Sequence, residues 1–298
     1  MSSLNLGQLR TLADVAASGT FSAAAARRDV SQPAVSFQVK QLETQLGVKL
    51  IERIGRRATP TAAGIELLEY ASRINGEVAA ALEAMARHAN GTMGRVRLGT
   101  GATACIFLLP TLLRELRRRF PELEITVTTG NTSEIVRAVE ENALDIALVT
   151  MPASGRILAV DVVMEDEFVL VAPAGTDLPQ RVTPKLLQSL PLILFEPSGN
   201  TRRLVDRWLA EHGVEPNPVM SLGSVEAIKE LVGAGLGCSV LPVMAMGRST
   251  RKARFAVRPL APRLCRELAV VLRKDKVLHR GLREVAKALG SARGSARG

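Results

Sequence analysis

The sequence predicts an α/β protein in which a helical N-terminal segment precedes a longer region of alternating strands and helices. Three observations support this prediction. Residues 1–60 are rich in alanine and in apolar residues at helical spacing, and residues 61–90 form one helical pattern without proline. Residues 92–290 contain short apolar runs separated by amphipathic stretches, one of them over residues 106–120, and this alternation of strands and helices predicts parallel sheets. A chain of 298 residues that is 47% apolar and 23% charged has the composition of a folded protein with a large core.

Composition also excludes several classes of protein. Cys105, Cys238 and Cys265 are far apart and odd in number, which argues against a disulfide scaffold or a Cys-x-x-Cys metal cluster and suits a reducing cytosol. Three scattered histidines argue against a zinc site, and we expect no cofactor. Arg10 and Asp14 stand where a signal peptide needs an apolar segment. The long uncharged runs are shorter than the roughly 18 residues of a membrane span, so we expect a cytoplasmic protein without membrane contact.

The net charge of +10 is unevenly distributed along the chain. Residues 1–91 carry +2, residues 92–247 carry −4 and residues 248–298 carry +12. A basic chain favours polyanionic partners. Because the excess lies at the C-terminus, however, the overall charge does not locate a nucleic-acid site.

The helical segment begins with the pattern of a helix-turn-helix. Helices are predicted near residues 6–18, 22–28 and 32–46, with Pro33 in the first turn of the third, where a missing N–H has no cost. On that third helix one face is apolar and is expected to pack on the earlier helices, with Val35, Val39, Leu42 and Leu46. The opposite, exposed face carries Pro33, Ser36, Phe37 and Lys40. The alternative is a plain three-helix domain with a solvated polar face.

A basic hairpin is predicted directly after the third helix. Residues 49–60 read KLIERIGRRATP, which is a short strand, a turn at Gly55 with Arg56 and Arg57, and a returning strand. Such a hairpin resembles the wing of winged helix-turn-helix domains, where arginines reach phosphates or the minor groove. The alternative is a pair of solvated arginines on a turn.

The long helix predicted over residues 61–90 carries an apolar seam. Its apolar residues recur at spacings of four and three, as in a heptad repeat: Leu67, Ala71, Ile74, Val78, Ala81 and Met85. An apolar seam on a lone helix needs a partner, and the simplest partner is a second copy of the chain. The sequence therefore predicts a homodimer.

Three polar segments in the α/β region each lie between a predicted strand and a predicted helix, at residues 99–104, 130–133 and 198–201. Helix N-termini with small residues and hydroxyls offer N–H groups to an anion. The three segments together therefore predict a cleft for a small polar or anionic ligand. Ordinary helix caps are the alternative. The first segment mimics a dinucleotide-binding fingerprint, but the next strand ends without the required acidic residue. No catalytic motif such as G-x-S-x-G, a Walker A loop or H-E-x-x-H is present.

Several motifs have a specific order and spacing: Phe21-Ser-Ala-Ala-Ala-Ala26, Val30-Ser-Gln-Pro-Ala-Val-Ser36, Leu42-Glu43, Leu46-Gly47-Val-Lys-Leu50, Glu52-Arg53, Thr59-Pro-Thr-Ala-Ala-Gly64, Gly99, Leu109-Pro110, Phe120-Pro121, Asp145-Ile-Ala-Leu148, and Gly235-Leu-Gly237 with Leu241-Pro242. In these motifs the whole chain resembles LysR-type transcriptional regulators. The resemblance implies a DNA-binding regulator without catalysis that controls promoters in response to a small effector. It also implies a homotetramer built as a dimer of dimers, and it leaves open a contact with RNA polymerase.

The resemblance implies a division into domains. Residues 1–61 would form a winged helix-turn-helix, residues 62–91 a linker helix that dimerises, and residues 92–290 an effector domain like the two-lobed periplasmic binding proteins. Lobe one would comprise residues 92–163 and 264–290, and lobe two residues 164–263. The tail, residues 291–298, is expected to be disordered.

The resemblance also assigns site residues. DNA contacts fall on Ser31, Gln32, Pro33, Ser36, Phe37, Lys40, Arg53, Arg56 and Arg57. Effector contacts fall on Thr100, Gly101, Ala102, Thr103, Asn131, Thr132, Ser198, Gly199, Asn200 and Thr201. The effector set contains no carboxylate, so we expect a small anion. Arg202 and Arg203 either add positive charge to the site or face solvent.

Two positions depart from the family pattern. Ile51 stands where Phe is commoner, which is a conservative change in the core. Phe37 stands where many members have Arg or another polar residue, and this favours apolar readout of a thymine methyl group.

Two other functions fit parts of the sequence. A two-lobed α/β enzyme with a helical oligomerisation segment is one, but the wing arginines and the exposed Ser36 and Lys40 argue against it. A solute-binding protein is the other, and the missing signal peptide argues against it.

Overall fold

The computed structural model describes residues 4–54, 57–90, 93–247 and 254–291, without the side chains of residues 53, 54, 80, 83, 84 and 86–90. The chain forms two compact units. The first unit comprises Met1–Ala86 with Glu141–Ala143, and the second comprises Arg87–Glu140 with Leu144–Gly298. The expected wing tip at Gly55 and Arg56, and the expected tail after residue 291, lie outside the described residues.

Three helices open the first unit, namely α1 (Leu6–Ser18), α2 (Phe21–Arg28) and α3 (Gln32–Leu46). Their ends are set by local side chains. Asn5 accepts the backbone N–H of Gly7 at 2.7 Å, and Thr20 accepts that of Ala23 at 3.1 Å, so each residue caps a helix start. Gly19 ends α1 in the left-handed conformation with a φ of 69°. These local signals explain why the three helices agree with the sequence prediction.

The helices pack against a short antiparallel hairpin of β1 (Ile51–Ile54) and β2 (Arg57–Pro60), in which Ile51 pairs with Pro60. This hairpin is the expected wing. The buried apolar residues of the unit are Leu9, Leu12, Val15, Ala24, Ala25, Val35, Val39, Leu42, Leu50, Ile51, Ala58 and Ala71. The prediction that Leu46 faces inward is wrong, since it is 38% exposed where α3 ends at Gly47.

A buried carboxylate joins α3 to the hairpin. Glu43 is 8% exposed, and its Oε1 accepts the N–H groups of Leu50 at 3.0 Å and Ile51 at 3.3 Å. Its Oε2 accepts a hydrogen bond from Lys49 Nζ at 2.8 Å. Burial by itself raises the pKa of Glu43, but the bonds from Lys49 and the two backbone N–H groups outweigh burial and hold this pKa below its ordinary value.

The long helix is α4 (Ala62–Asn90), and its apolar seam is divided between two environments. Ala71 is buried in the core of the first unit, and Ile74 packs against the same cluster. Farther along the helix, Leu82 and Met85 are 67% and 62% exposed. The expectation that the whole seam faces a second chain is therefore wrong, because its first half completes the core of its own unit.

The second unit follows the expected alternation of strands and helices. Its elements up to the middle of the unit are β3 (Arg95–Thr100), α5 (Ala102–Phe107), α6 (Leu109–Arg119), β4 (Glu124–Thr129), α7 (Thr132–Glu140), β5 (Ile146–Thr150), β6 (Leu158–Pro173) and α8 (Pro184–Gln188). They continue with β7 (Leu192–Phe195), α9 (Asn200–Ala210), β8 (Pro218–Leu222), α10 (Val225–Gly233), β9 (Ser239–Pro242), a 3₁₀ helix (Val243–Met246), β10 (Phe255–Pro259), β11 (Cys265–Arg273) and α11 (Arg280–Ser291).

The unit has two lobes joined by β6 and β11. The main sheet has the strand order β10-β6-β11-β5-β3-β4, and β9 also pairs with β6. The first part of β6, up to Glu167, pairs with β11, and its last part, from Phe168, pairs with β9 and β10. Lobe one is built on β3, β4, β5 and β11, and lobe two on β7 to β10. Leu98 and Ile146 lie in the core of lobe one, and Phe168 and Leu170 in that of lobe two.

The structure corrects two expectations for this region. The sheets are mixed rather than parallel: β3 runs parallel to β4 and β5, and β7 to β8, but β11, β9 and β10 pair antiparallel with their neighbours. The helix expected over residues 106–120 is interrupted at Leu108 and becomes α5 and α6. Pro110 has no N–H to donate to the carbonyl of Ile106, which breaks the hydrogen-bond pattern there.

Glu43→Gln is expected to destabilise the first unit by about 1–3 kcal/mol at neutral pH, because an amide cannot accept all three hydrogen bonds of the carboxylate. The folded pKa of Glu43 lies below its ordinary value of 4.5, so the contribution is fully present above that value and is lost as the pH falls through the folded pKa. Urea unfolding followed by circular dichroism at neutral and at acidic pH measures both effects.

Glu52→Gln is the control, because Glu52 is an exposed carboxylate on the same hairpin. It should leave the unfolding curve within about 0.5 kcal/mol of the parent. A Glu43→Gln protein that unfolds like the parent at neutral pH would show that the carboxylate contributes nothing.

Candidate functional site

Helix α3 presents the exposed face that the sequence predicted. Pro33 and Lys40 are exposed, Ser36 is half-buried, and Phe37 is 66% exposed. An aromatic side chain this open is unusual on a small folded domain, because burying it would contribute to the core. The opposite face of the helix is apolar and buried, so the polar atoms and the ring on the open face are available to a partner.

The other predicted DNA contacts lie at the start of α3 and on the hairpin. Ser31 caps the helix, since its hydroxyl accepts a backbone N–H of the first turn at 3.4 Å, and the half-buried Gln32 begins it. Arg57 is exposed at the start of β2. Arg53 lies on β1 with its side chain outside the described atoms, and Arg56 lies outside the described residues.

The second unit contains a cavity of about 410 Å³ between its two lobes. Its walls include the starts of α5, α7 and α9, which follow the C-terminal ends of β3, β4 and β7. Nine of the ten predicted effector residues line it: Gly101, Ala102, Thr103, Asn131, Thr132, Ser198, Gly199, Asn200 and Thr201. The fold thus brings together three polar segments that are distant in sequence.

Thr100, the tenth of these residues, does not line the cavity. It is fully buried at the end of β3, and its hydroxyl donates to the carbonyl of Leu148 on β5 at 2.9 Å. The side chain therefore ties two neighbouring strands together and is not available to an effector. The adjacent Gly101 and the first turn of α5 provide the wall instead.

Asn200 lines the cavity, but its amide already joins the lobes. Its Nδ2 donates to the carbonyl of Thr150 at 2.8 Å and to that of Pro152 at 3.0 Å. Its Oδ1 accepts a hydrogen bond from Arg203 at 3.2 Å. Asn200 belongs to lobe two and the two carbonyls to lobe one, so its role in this structure is to hold the two sides of the cavity together.

Arg266 is a cavity residue that the sequence did not reveal. It lies on β11 with 2% of its side chain exposed, and it binds Asp166 through Nε at 3.1 Å and Nη2 at 2.9 Å. Its Nη1 donates to Thr201 Oγ1 at 3.1 Å. Burial lowers the pKa of the guanidinium and Asp166 opposes this, yet an arginine stays protonated in proteins. No motif surrounds Arg266, so only its position in the fold identifies it.

Two carboxylates also line the cavity, although the sequence expectation included none. Glu134 is occupied at the start of α7, where its Oε2 accepts the N–H of Asn131 at 3.0 Å while Asn131 Oδ1 accepts the N–H of Glu134 at 3.0 Å. Glu196 is exposed and lies beside Gly223. A Cβ atom added at Gly223 would lie 3.4 Å from the Glu196 carboxylate. A bound anion must therefore avoid Glu196.

Arg202 and Arg203 do not supply the positive charge expected of them. Arg202 is buried, binds Asp206 at 2.7 Å and donates to the carbonyl of Phe195 at 2.6 Å. Arg203 donates to Asn200 Oδ1 and to the carbonyl of Ser198. Both guanidinium groups hold the start of α9 in place, and Arg266 is the cation that reaches the cavity wall.

Other kinds of site find no support in the described part of the chain. Within residues 4–54, 57–90, 93–247 and 254–291, no group of three or more His, Cys, Asp or Glu side chains is arranged to hold a metal ion. Over the same residues, no helix is long and apolar enough to cross a membrane.

Asn200→Asp is expected to destabilise the second unit by about 1–3 kcal/mol, because a carboxylate would face two carbonyl oxygens that now receive hydrogen bonds. Urea unfolding followed by the fluorescence of Trp208, the one tryptophan of the chain, reports on this unit. Asn131→Asp is the matched control, since Asn131 uses its oxygen as an acceptor, which Asp retains. Equal losses in the two variants would contradict the role assigned to Asn200.

Two family models match the chain. The model described as "LysR substrate binding domain" covers residues 89–293, and the one described as "Bacterial regulatory helix-turn-helix protein, lysR family" covers residues 6–65. The first accounts for the two-lobed unit with its cavity, and the second for α1 to α3 with the hairpin. Together they span both regions in which the sequence placed functional residues.

Individual proteins agree with the family models. The chain is 35% identical over 283 residues to the HTH-type transcriptional regulator CbbR of Xanthobacter flavus, covering 93% of this chain and 84% of that protein. It is 31% identical over 248 residues to the HTH-type transcriptional activator CmpR of a Synechocystis strain, covering 83% and 81%.

Solved structures share the fold of the chain. The structure of CbnR, a LysR family transcriptional regulator, superposes with a TM-score of 0.73 at 22% identity, covering 97% of this chain and 99% of that one. A full-length OxyR variant from Pseudomonas aeruginosa gives a TM-score of 0.69 at 23% identity, covering 98% and 95%. From its helix-turn-helix, its two-lobed substrate-binding domain and these relatives, the chain belongs to the LysR family and is a transcriptional regulator rather than an enzyme.

Proposed function

We propose that this regulator binds promoter DNA through α3 and the hairpin, and that a small anion in the interlobe cavity controls its activity. The exposure of Phe37 is the observation that carries the proposal of DNA binding through α3. This residue is 66% exposed at the centre of the open face of the helix. Base edges in the major groove include the thymine methyl group, which is an apolar partner for such a ring. CbnR, which shares this fold, has been solved in complex with its target DNA.

The other DNA contacts follow from their charge and position. Lys40 is exposed one helical turn from Phe37, and Ser36 lies beside it on the same face. In our proposal Ser31, Gln32 and Pro33 approach the backbone at the start of α3, while Arg53, Arg56 and Arg57 on the hairpin bind phosphates or enter the minor groove. In our proposal the protein acts on promoter DNA in the cytoplasm, and a contact with RNA polymerase stays open.

We infer that two chains bind together. One recognition helix reads only a few base pairs, so affinity for an operator requires two copies on a dyad-related site. The second half of α4 supports this inference, because Leu82 and Met85 are large apolar side chains that remain mostly exposed. Pairing of this half of the helix in a homodimer would bury them, and a homotetramer would be a pair of such dimers.

The anionic effector is inferred from the donors around the cavity. Thr103 is 8% exposed and lines the cavity, and its hydroxyl forms no side-chain hydrogen bond in the described part of the chain. The hydroxyl of Thr201 accepts a bond from Arg266, which leaves its own proton for a ligand. The start of α9 at Gly199 has no side-chain cap, so its N–H groups are also available. These donors favour a carboxylate or an inorganic oxyanion.

Phe37→Ala is expected to weaken binding to an operator selected from genomic DNA by about 1–3 kcal/mol, because it removes a base contact, while leaving binding to unrelated DNA unchanged. Lys40→Ala is expected to lower affinity and to flatten its dependence on salt, because one fewer counterion is released on binding. Gel shifts across a salt series on operator and unrelated DNA distinguish these two outcomes.

Arg73→Ala is the matched control for Lys40→Ala, since Arg73 is an exposed cation on α4 outside the predicted surface. It should change neither the affinity nor the salt dependence. Operator affinities that are unchanged in both Phe37→Ala and Lys40→Ala would overturn the placement of the DNA surface on α3.

A Thr103→Val, Thr201→Val double variant is expected to lose the stabilisation that small anions give to the parent, because two hydroxyl donors to the ligand are replaced by methyl groups. The measurement is a thermal-shift panel of acetate, succinate, citrate, phosphate and sulfate, with putrescine as the cation and glycerol as the neutral compound. A ligand at about 100 times its Kd stabilises a protein by about 2.7 kcal/mol.

Thr126→Val is the control, because Thr126 is exposed on β4 and does not line the cavity. It should respond to each anion as the parent does. An anion that stabilises the parent and the double variant equally would place its site elsewhere, and stabilisation by putrescine or glycerol alone would contradict the anionic effector.

A further inference from the structure

Helix α5 connects the cavity to the core of the other lobe. Its first turn, at Ala102 and Thr103, lines the cavity, and its last residue is Phe107. Phe107 belongs to lobe one by sequence, yet its ring packs against the lobe-two cluster that contains Ile193 and Ile228. Because α5 has only 6 residues, a shift of its first turn is transmitted to Phe107 with little room for bending.

A buried lysine holds the ring of Phe107 in lobe two. Lys229 on α10 is 5% exposed, and its Nζ lies 4.6 Å from the centroid of the Phe107 ring. The same ammonium donates to Glu226 Oε1 at 2.8 Å and to the carbonyl of Ala245 at 3.1 Å. A buried ammonium requires such partners because desolvation is costly, and a cation above an aromatic face is attracted more strongly when it is desolvated.

The 3₁₀ helix makes the reciprocal contact. Met244 lies between β9 and β10 in sequence, but its side chain packs against the core cluster of lobe one. Its backbone N–H donates to Asp166 Oδ1 at 3.0 Å, and Asp166 is bound by the cavity residue Arg266. Each lobe therefore inserts one side chain into the other, and both routes from the cavity end at adjacent residues of the 3₁₀ helix, Met244 and Ala245.

We propose that Lys229 is a positioning residue for the effector response: it clamps Phe107 to the 3₁₀ helix and so fixes the first turn of α5 in the cavity wall. The importance of Lys229 for the response rests on the proposed function, whereas its effect on α5 does not. A ligand shifts the equilibrium between two arrangements of the lobes only by as much as its affinity differs between them. The contact between Lys229 and Phe107 crosses from one lobe to the other, so it is among those that a change of arrangement must strain or break.

The first test measures hydrogen exchange of residues 102–107 without any ligand. Lys229→Met keeps an unbranched chain of similar length but removes the charge, and we expect exchange in α5 to accelerate by about tenfold, which corresponds to about 1.4 kcal/mol. Exchange in α9 and α11 should stay at the parent rate, which a general loss of lobe stability would not allow. Lys185→Met, an exposed lysine of α8 in lobe two, should change nothing.

The second test separates ligand binding from DNA binding, with sulfate as the ligand used. We expect Lys229→Met to weaken the affinity for sulfate by about tenfold, while affinity for the operator without sulfate stays at the parent value. Phe107→Leu, which keeps an apolar side chain but removes the ring, should reproduce both results. If the fluorescence of Trp208 shows that Lys229→Met folds poorly, Phe107→Leu serves as the second variant.

The outcomes distinguish this proposal from the anion hypothesis. If sulfate does not bind the parent protein, the anionic effector loses support, but the exchange of α5 still tests the clamp. Folded Lys229→Met and Phe107→Leu proteins with parent exchange rates in residues 102–107 would overturn the positioning role. Acceleration spread equally over α5, α9 and α11 would also overturn it.

Discussion

The buried ion pair between Arg266 and Asp166 is the constraint on which the arrangement of the two lobes depends. The residues are direct partners on β11 and β6, and β6 passes into lobe two only two residues later, at Phe168. Loss of either partner would leave an uncompensated buried charge, which costs several kcal/mol. Each also has a second task, since Arg266 binds Thr201 and Asp166 binds the N–H of Met244. One pair thus fixes the strand register, the start of α9 and the 3₁₀ helix.

This constraint determines the chemistry of the cavity. Many polar groups in its wall are already satisfied by the fold: Asn200 by two backbone carbonyls, and Thr132 by the carbonyl of Thr150 at 3.0 Å. The groups left for a ligand are hydroxyl protons, helix N–H groups and the remaining N–H bonds of Arg266. A cavity with this inventory is a set of donors with two carboxylates, Glu134, which is bound to the backbone of Asn131, and the exposed Glu196. Shape and donor placement, rather than a large net charge, would select its ligand.

The first unit separates stability from recognition in a similar way. Glu43 uses its carboxylate to satisfy the backbone of the hairpin, and Ala71 of α4 closes the core from a neighbouring helix. With both tasks met by inward residues, the open face of α3 needs no intramolecular partners. Phe37 can therefore stay exposed, at a cost in burial that the core of the unit offsets.

Most features that depend on local spacing can be predicted from the sequence, although the break between α5 and α6 was missed. The period of the apolar residues, with Pro33 in the first turn of α3, placed α1 to α4 to within a few residues, and the polar segments before α5, α7 and α9 marked the cavity wall. Which side chains are free, in contrast, depends on packing between distant segments. Arg266 and Asp166 are 100 residues apart, Thr100 is buried against β5, and half of the α4 seam is used within its own unit. Burial and pairing across such distances depend on how strands and helices pack, so no local pattern records them.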